Sequence, residues 1–292
     1  MDSTVSHSGH GAAGTFAELW SPGLLLLLLV VGVLYTLCVN AWRHRFADSE
    51  PVPLKLQLYG WLGLILWYAA EGSPLAYYGH HYFFSVHMFQ QSILYLIMPP
   101  LLLLGLPGWL MRSAIQGETA KRVVYIMTNP VLALFLFNFI FSVYHIPVVM
   151  DWLMTHPTIL TLYKAVFLLS AFMLWFPVFC PMPEYSRMSE LKRMAYIFIN
   201  GVLLTPACAL IIFAKDPMYA MYSAVPEYHL LLPMLDDQQL GGVIMKIVQE
   251  IVYGMALGYT FYRWYRRERK REDEEEFADD DYYPAAGNVN RA

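Results

Sequence analysis

Seven apolar stretches of about 20 residues dominate the chain, each the length that crosses roughly 30 Å of hydrocarbon as a helix. They lie at 22–42, 54–73, 83–104, 129–147, 158–180, 195–214 and 241–263, separated by charge, proline or glycine clusters. The expected fold is all-α: a polytopic membrane protein with a seven-helix transmembrane domain over residues 1–264. Composition agrees, with 58% hydrophobic and only 14% charged residues among the 292. A soluble domain needs about 25% charged residues to cover its surface. That deficit excludes an ordinary cytosolic enzyme, a disordered chain and a nucleic-acid binder, and makes the lipid bilayer the first expected partner.

Lysine and arginine set the expected orientation. Neither occurs before Arg43. The loops after spans 1, 3 and 5 carry Arg43, Arg45 and Lys55, then Arg112, Lys121 and Arg122, then Arg187, Lys192 and Arg193. The tail opens with Arg263, Arg266, Arg267, Arg269, Lys270 and Arg271, whereas the alternate loops hold only Lys215. This bias places the N-terminus outside and the C-terminus inside. The missing basic n-region argues against a cleavable signal peptide. Residues 265–292 form a charged cytoplasmic tail. Its basic start is expected on anionic headgroups, and its acidic run, Glu272 to Glu276 and Asp279 to Asp281, is expected to be disordered and dispensable.

The polar residues are sorted as strongly as the charges. Of nine histidines, His7, His10, His80, His81, His87, His145, His156 and His229 map to the outer face or outer span ends, and only His44 maps inside. Asp151, Asp216, Glu227, Asp236, Asp237 and Glu71 join them. Imidazole binds copper and zinc and titrates near neutral pH. Equally, outer loops use His and Asp where Lys and Arg are excluded. Cys38, Cys180 and Cys208 are too widely spaced for a disulfide framework or a thiolate metal site.

In span 3, His87, Gln90 and Gln91 share one helix face at i, i+3 and i+4, with His80 and His81 just before it. A metal or proton site and an interhelical hydrogen-bond clamp both fit this pattern. Span 7 opens Asp236-Asp237-Gln238-Gln239-Leu240-Gly241-Gly242, which fits a helix cap or a close-packed polar site. Lys246 and Glu250 follow at i, i+4, positioned to pair. Gly254 and Gly258 have helix-packing spacing. Lys164 in span 5 is placed to snorkel or to neutralise a carboxylate such as Asp237. Walker A, GxSxG, HExxH and kinase motifs are missing, as is Cys-x-x-Cys-His for covalent haem.

In order along the chain stand His87-Met88-Phe89-Gln90, the run from Leu96 through Met98-Pro99-Pro100 to Gly105-Leu106-Pro107, Tyr144-His145-Ile146-Pro147, Trp175-Phe176-Pro177-Val178, and the Asp236 to Gly242 segment. Across about residues 15–265 this series resembles the CtaG family of Gram-positive bacteria, assembly factors of the caa-type cytochrome c oxidase. The resemblance implies a plasma-membrane, non-enzymatic factor needed to form active oxidase. Its partners would be oxidase subunits, and copper handling at the outer face would be its suspected job. Carried over onto this chain, the candidate metal residues are His87, His145, Asp236 and Asp237. The residue pattern itself adds His80, His81, Gln90, Gln91, Lys246 and Glu250 as an expected supporting polar cluster. The alternatives are a transporter or channel with a polar path through His87, Gln91, Lys164 and Asp237, and a haem-binding membrane protein. Few polar groups lie in the inner half to complete such a path, Asn138, Asn200 and Thr205 being the main ones.

Overall fold

A computed structural model describes residues 14–282; His7, His10 and the end of the tail lie outside them. In chain order the helices are α1 (Phe16–Trp20), α2 (Pro22–Val39), α3 (Leu54–Glu71), α4 (Pro74–His81), α5 (Phe84–Ser92), α6 (Met98–Gly105) and α7 (Gly108–Ala114). They are followed by α8 (Glu118–Met127), α9 (Pro130–Tyr144), α10 (Pro147–Met154), α11 (Pro157–Trp175), α12 (Glu190–Ile212), α13 (Ala220–Ser223) and α14 (Met234–Tyr282). No strand occurs among the described residues.

Every one of the seven apolar stretches falls on a helix, but they are not equal. Five helical segments are long and apolar enough to cross a membrane: Phe16–Val39, Phe84–Gly105, Pro157–Trp175, Glu190–Ile212 and Met234–Glu274. A sixth is the pair α8 and α9, bent by 63°. α3 falls short of that test because Lys55, Gln57 and Glu71 dilute its apolar run. The chain is thus an all-helical, multi-pass membrane protein with five to six helices that qualify as spans by themselves.

Phe84–Gly105 is the central segment, with 72% of its apolar window buried against 17% for Phe16–Val39. The Met98-Pro99-Pro100 sequence would ordinarily bend or stop a helix, yet here it does neither completely. Proline lacks the N–H that would bond the carbonyl four residues back. The chain absorbs the defect as a π-helical turn, Ile93–Ile97, and continues as α6. The carbonyl of Tyr95, deprived of a donor at Pro99, accepts the indole N–H of Trp175 at 3.0 Å. A neighbouring helix thereby satisfies what the proline removed, as hydrocarbon requires. At the far end of α6, a Cβ on Gly105 would collide with the Gly60 backbone. The two glycines therefore let α6 and α3 pack backbone to backbone, and the Tyr35 hydroxyl closes the contact on the Gly105 carbonyl at 2.6 Å.

The bundle has two chemically distinct ends. At one, the basic segments meet: Phe46 packs on Trp109, Arg112 pairs with Glu184 at 2.7 Å, Arg187 lies 3.5 Å over the Tyr125 ring, and Arg263 and Arg267 reach Glu190. At the other, Tyr82 stacks near His229, Asp151 receives the N–H groups of Ala220 and Met221, and His87 meets Tyr144. The sorting of His from Arg along the sequence is thus a sorting in space. α14 continues past residue 265 into the charged tail, to Tyr282. Pairs at helical spacing support that extension, Arg271 with Glu268 at 2.5 Å and Lys270 with Glu274 at 3.4 Å.

Candidate functional site

The histidine end is organised by an exchange between the two most central helices. α5 begins at Phe84, and its own flanking residue, Phe83, offers no capping side chain. The free N–H groups are taken instead by Asp237 from the first turn of α14: Phe84 N–H donates to Oδ2 at 2.7 Å and Ser85 N–H at 3.3 Å. The Ser85 hydroxyl donates to Oδ1. A buried carboxylate at a helix N-terminus satisfies orphan donors and meets the positive end of the helix dipole. Asp237 is thus a cap, but of a different helix from its own. Gln238 beside it, fully buried, accepts the Met218 N–H at 2.7 Å. Asp236 faces outward and takes no part.

One turn into α5 lies His87, 5% exposed. Its Nε2 is 3.0 Å from the Tyr144 hydroxyl and 2.9 Å from Nε2 of Gln91, the i+4 neighbour. Among the described residues its Nδ1 has no partner, nor has Oε1 of Gln91. The backbone of α5 at His87 is approached by α4: a Cβ on Gly79 would stand 3.0 Å from His87 N and 3.3 Å from Gln90 Oε1, so the glycine permits the crossing. The Tyr222 hydroxyl donates to the Gly79 carbonyl at 2.7 Å, and its ring lies 6.3 Å from the His87 ring. His145 closes α9. Its Nδ1 lies 2.7 Å from the Phe141 carbonyl, which makes that nitrogen the donor and leaves buried Nε2 open. Tyr144 therefore sits against both imidazoles, with ring centroids 6.0 Å from His87 and 5.4 Å from His145.

α4 carries the remaining pair. His80 and His81 stack edge to face at 4.9 Å, and His81 Nδ1 lies 2.9 Å from the Tyr77 carbonyl. Burial, with the nearby His81 and Lys164, pushes His80 down to about 4. Lys164 pairs with Glu71, its Nζ 2.5 and 2.7 Å from the two carboxylate oxygens. The sequence offered Asp237 as its partner; that carboxylate is spent on α5.

A metal ion needs several donors aimed at one point. The candidates His87, His145, Asp236 and Asp237 do not supply that. Both Asp237 oxygens are engaged, Asp236 faces away, and among the described residues no three His, Cys, Asp or Glu side chains converge as a metal site. A resident copper centre does not fit these residues. Lys246 and Glu250 pair at 2.6 Å as their spacing predicts, but deeper along α14 and away from His87. Asn138, Asn200 and Tyr253 form one interhelical chain, Asn138 donating to Asn200 at 2.6 Å and Asn200 to the Tyr253 hydroxyl at 2.5 Å. They tie α9, α12 and α14 together rather than line a path.

A family model described as cytochrome c oxidase caa3 assembly factor matches residues 33–267. The chain belongs to that family. The match covers every residue of the histidine-end cluster from Glu71 to Gln238. No curated protein and no solved structure matches the chain. Membership in the caa3 assembly-factor family agrees with the resemblance read from the Pro99-Pro100, Tyr144-His145 and Asp236-to-Gly242 segments. Sequence reading missed Ser85, Tyr144 and Tyr222 as members of the cluster. A buried tyrosine one position before His145 was the available signal for the second.

Proposed function

We propose that the chain is a non-catalytic factor of the plasma membrane required to form active caa-type cytochrome c oxidase, acting on oxidase subunits from its histidine end. The family match over residues 33–267 carries this reading. We further infer seven spans, with α3 as the least apolar, the N-terminus outside and the tail inside. The gathering of Arg112, Arg187, Lys121, Arg263 and Arg267 at one end supports that orientation, since basic residues stay cytoplasmic. The histidine end then faces outward.

The test is genetic and biochemical. A strain lacking the chain should lose caa-type oxidase activity and regain it with the intact gene; full activity without the chain would end the proposal. Topology is read by labelling an introduced cysteine at position 3 or 285 in intact cells. Reaction at 285 with protection at 3 would invert the orientation.

A second reading takes copper as cargo rather than as a resident group. It rests on the two imidazoles on either side of Tyr144: His145 presents the free lone pair of its buried Nε2, while His87, whose Nε2 accepts from the Gln91 amide, has an unpartnered Nδ1–H that would give up its proton on binding a metal. His87→Ala and His145→Ala should then each lower copper in the assembled oxidase while the factor stays abundant. Normal oxidase copper in both variants would remove this reading and leave scaffolding in place.

A further inference from the structure

Glu250 is the charge in this bundle that its surroundings explain least. Along α14 it stands midway between Asp237, which caps α5 at the histidine end, and Arg263, which binds Glu190 at the basic end. At 1.5 Å per residue it is about 20 Å from each, which is the middle of the hydrocarbon layer. Yet its side chain is 63% exposed. Lys246 pairs with one oxygen, Oε1, at 2.6 Å, and also donates to the Thr205 hydroxyl at 2.9 Å. Ionised groups at this depth are costly and ordinarily face the interior of a bundle.

The surface around Glu250 is shaped to be covered. Glu250, Gly254, Gly201, Thr205 and Leu257 line a groove of about 200 Å³ between α12 and α14. One and two turns beyond Glu250, a Cβ on Gly254 or on Gly258 would meet nothing within 4 Å, so no helix among the described residues uses their spacing. Behind the groove, Gln249 is 1% exposed and donates to the Gly201 carbonyl at 3.2 Å, while its own Oε1 has no partner among the described residues. Small residues at four-residue spacing allow backbones to approach, and polar side chains supply interhelical bonds in lipid.

We propose that this face is the docking site for one transmembrane helix of a partner protein. That helix would be apolar, with small residues at four-residue spacing against Gly254 and Gly258 and a hydrogen-bond donor at the depth of Glu250. Charge complementarity selects the occupant. The outward oxygen of Glu250 calls for a donor, whereas a second copy of this chain crossing at Gly254 would set two carboxylates together one turn away, an arrangement that works against pairing. The proposal goes beyond the oxidase reading and does not depend on it.

The test uses the full chain in phosphatidylcholine–phosphatidylglycerol vesicles, labelled at its amino terminus, with synthetic transmembrane peptides as probes. One peptide is a leucine-rich host with two glycines four residues apart and a glutamine one turn before them; the other is the all-leucine host. Energy transfer should show the first binding about tenfold more tightly. That preference should vanish in the Gly254→Leu/Gly258→Leu double variant, with its unfolding in detergent unchanged, and in Glu250→Leu. Should the double variant fail to fold, Gly254→Ile alone serves, since its side chain enters open space. Equal binding of the two peptides, or a preference unaffected by the glycine substitutions, would overturn the proposal. So would transfer between differently labelled copies of the chain that is lost in Gly254→Ile, which would assign the face to self-association.

Discussion

The two ends of this bundle solve the burial of polar groups in opposite ways. At the basic end, Glu190 is 7% exposed and accepts from three arginines: Arg193 at 2.5 Å, Arg267 at 2.8 Å and Arg263 at 3.3 Å. Arg193, 4% exposed, spends its remaining N–H groups on the Pro177 carbonyl and the Ser186 hydroxyl. The buried pair there, Glu190 and Arg193, is matched and hydrogen-bonded, the condition under which buried ions are tolerated; beside it only the buried Nε of Arg187 lacks a hydrogen-bond partner among the described residues. At the histidine end Asp237 caps α5, and the side chains beside it are mostly amides, phenols and imidazoles, with buried polar atoms on His87, Gln91, His145 and Gln238 that have no partner among the described residues. Native proteins rarely leave buried polar atoms unpaired. The contrast teaches that the basic end is built for holding, and that the histidine end retains hydrogen-bonding capacity beyond what the fold uses.

The strongest way to break this contrast is to remove the acid at the basic end. Glu190→Ala strands Arg193 in a buried site, and loss of about 3–5 kcal/mol is expected, read as a large fall in unfolding temperature in detergent and in membrane abundance. A mild effect would mean that water reaches the arginines and that the two ends are alike. Next comes the trans cap. Asp237→Ala should cost about 1–2 kcal/mol, while Asp237→Asn, which also caps well, should recover most of it. If Asn restores stability but not oxidase formation, the carboxylate does more than cap.

His87→Ala should cost about 1 kcal/mol of interhelical bonding. Oxidase activity normalised to factor abundance is the sharper readout. A fall in that ratio separates function from clamp, and an unchanged ratio with reduced abundance makes His87 structural. The smallest effect concerns pH. His80 titrates at about 4 in the folded chain because of burial and of its neighbours His81 and Lys164, against about 6.5 unfolded. Between those values the unfolded state binds more protons, so stability contributed by neutral His80 is complete above about 6.5 and is lost as pH falls towards 4. Unfolding temperatures measured across that window should fall less steeply for His80→Gln than for the unaltered chain; identical slopes would place the acid sensitivity elsewhere.

What sequence reading captured is what short-range periodicity carries. The apolar stretches mark the helices, and i, i+4 spacing correctly pairs Gln91 with His87 and Lys246 with Glu250. The segregation of His from Arg survives into space because alternate loops of a bundle must emerge at opposite ends. Contacts between distant segments were not legible. Asp237 could be read as a cap, but nothing local says that the helix it caps begins at Phe84. Lys164 has several acids within plausible reach, and only the packing of α11 beside the end of α3 selects Glu71. Glu190 looks like an ordinary first-turn acid until α14 brings Arg263 and Arg267 beside it. In the tail the charge run has no apolar face, and the helix there extends one already nucleated in α14, so propagation needs only one bond per added residue.

That uninterrupted α14 has a mechanical consequence. It contains 49 residues, about 70 Å of helix, where a bilayer with its headgroups is about 40–45 Å thick. One rod therefore carries the carboxylate that fixes the start of α5, the Glu250 face and a charged arm that clears the membrane by several helical turns. The Glu190 clamp is its bearing, gripping the rod where it leaves the bundle. Whatever tilts the protruding arm swings the buried arm about that pivot, and the displacement arrives at Phe84, Ser85 and the imidazole one turn below them.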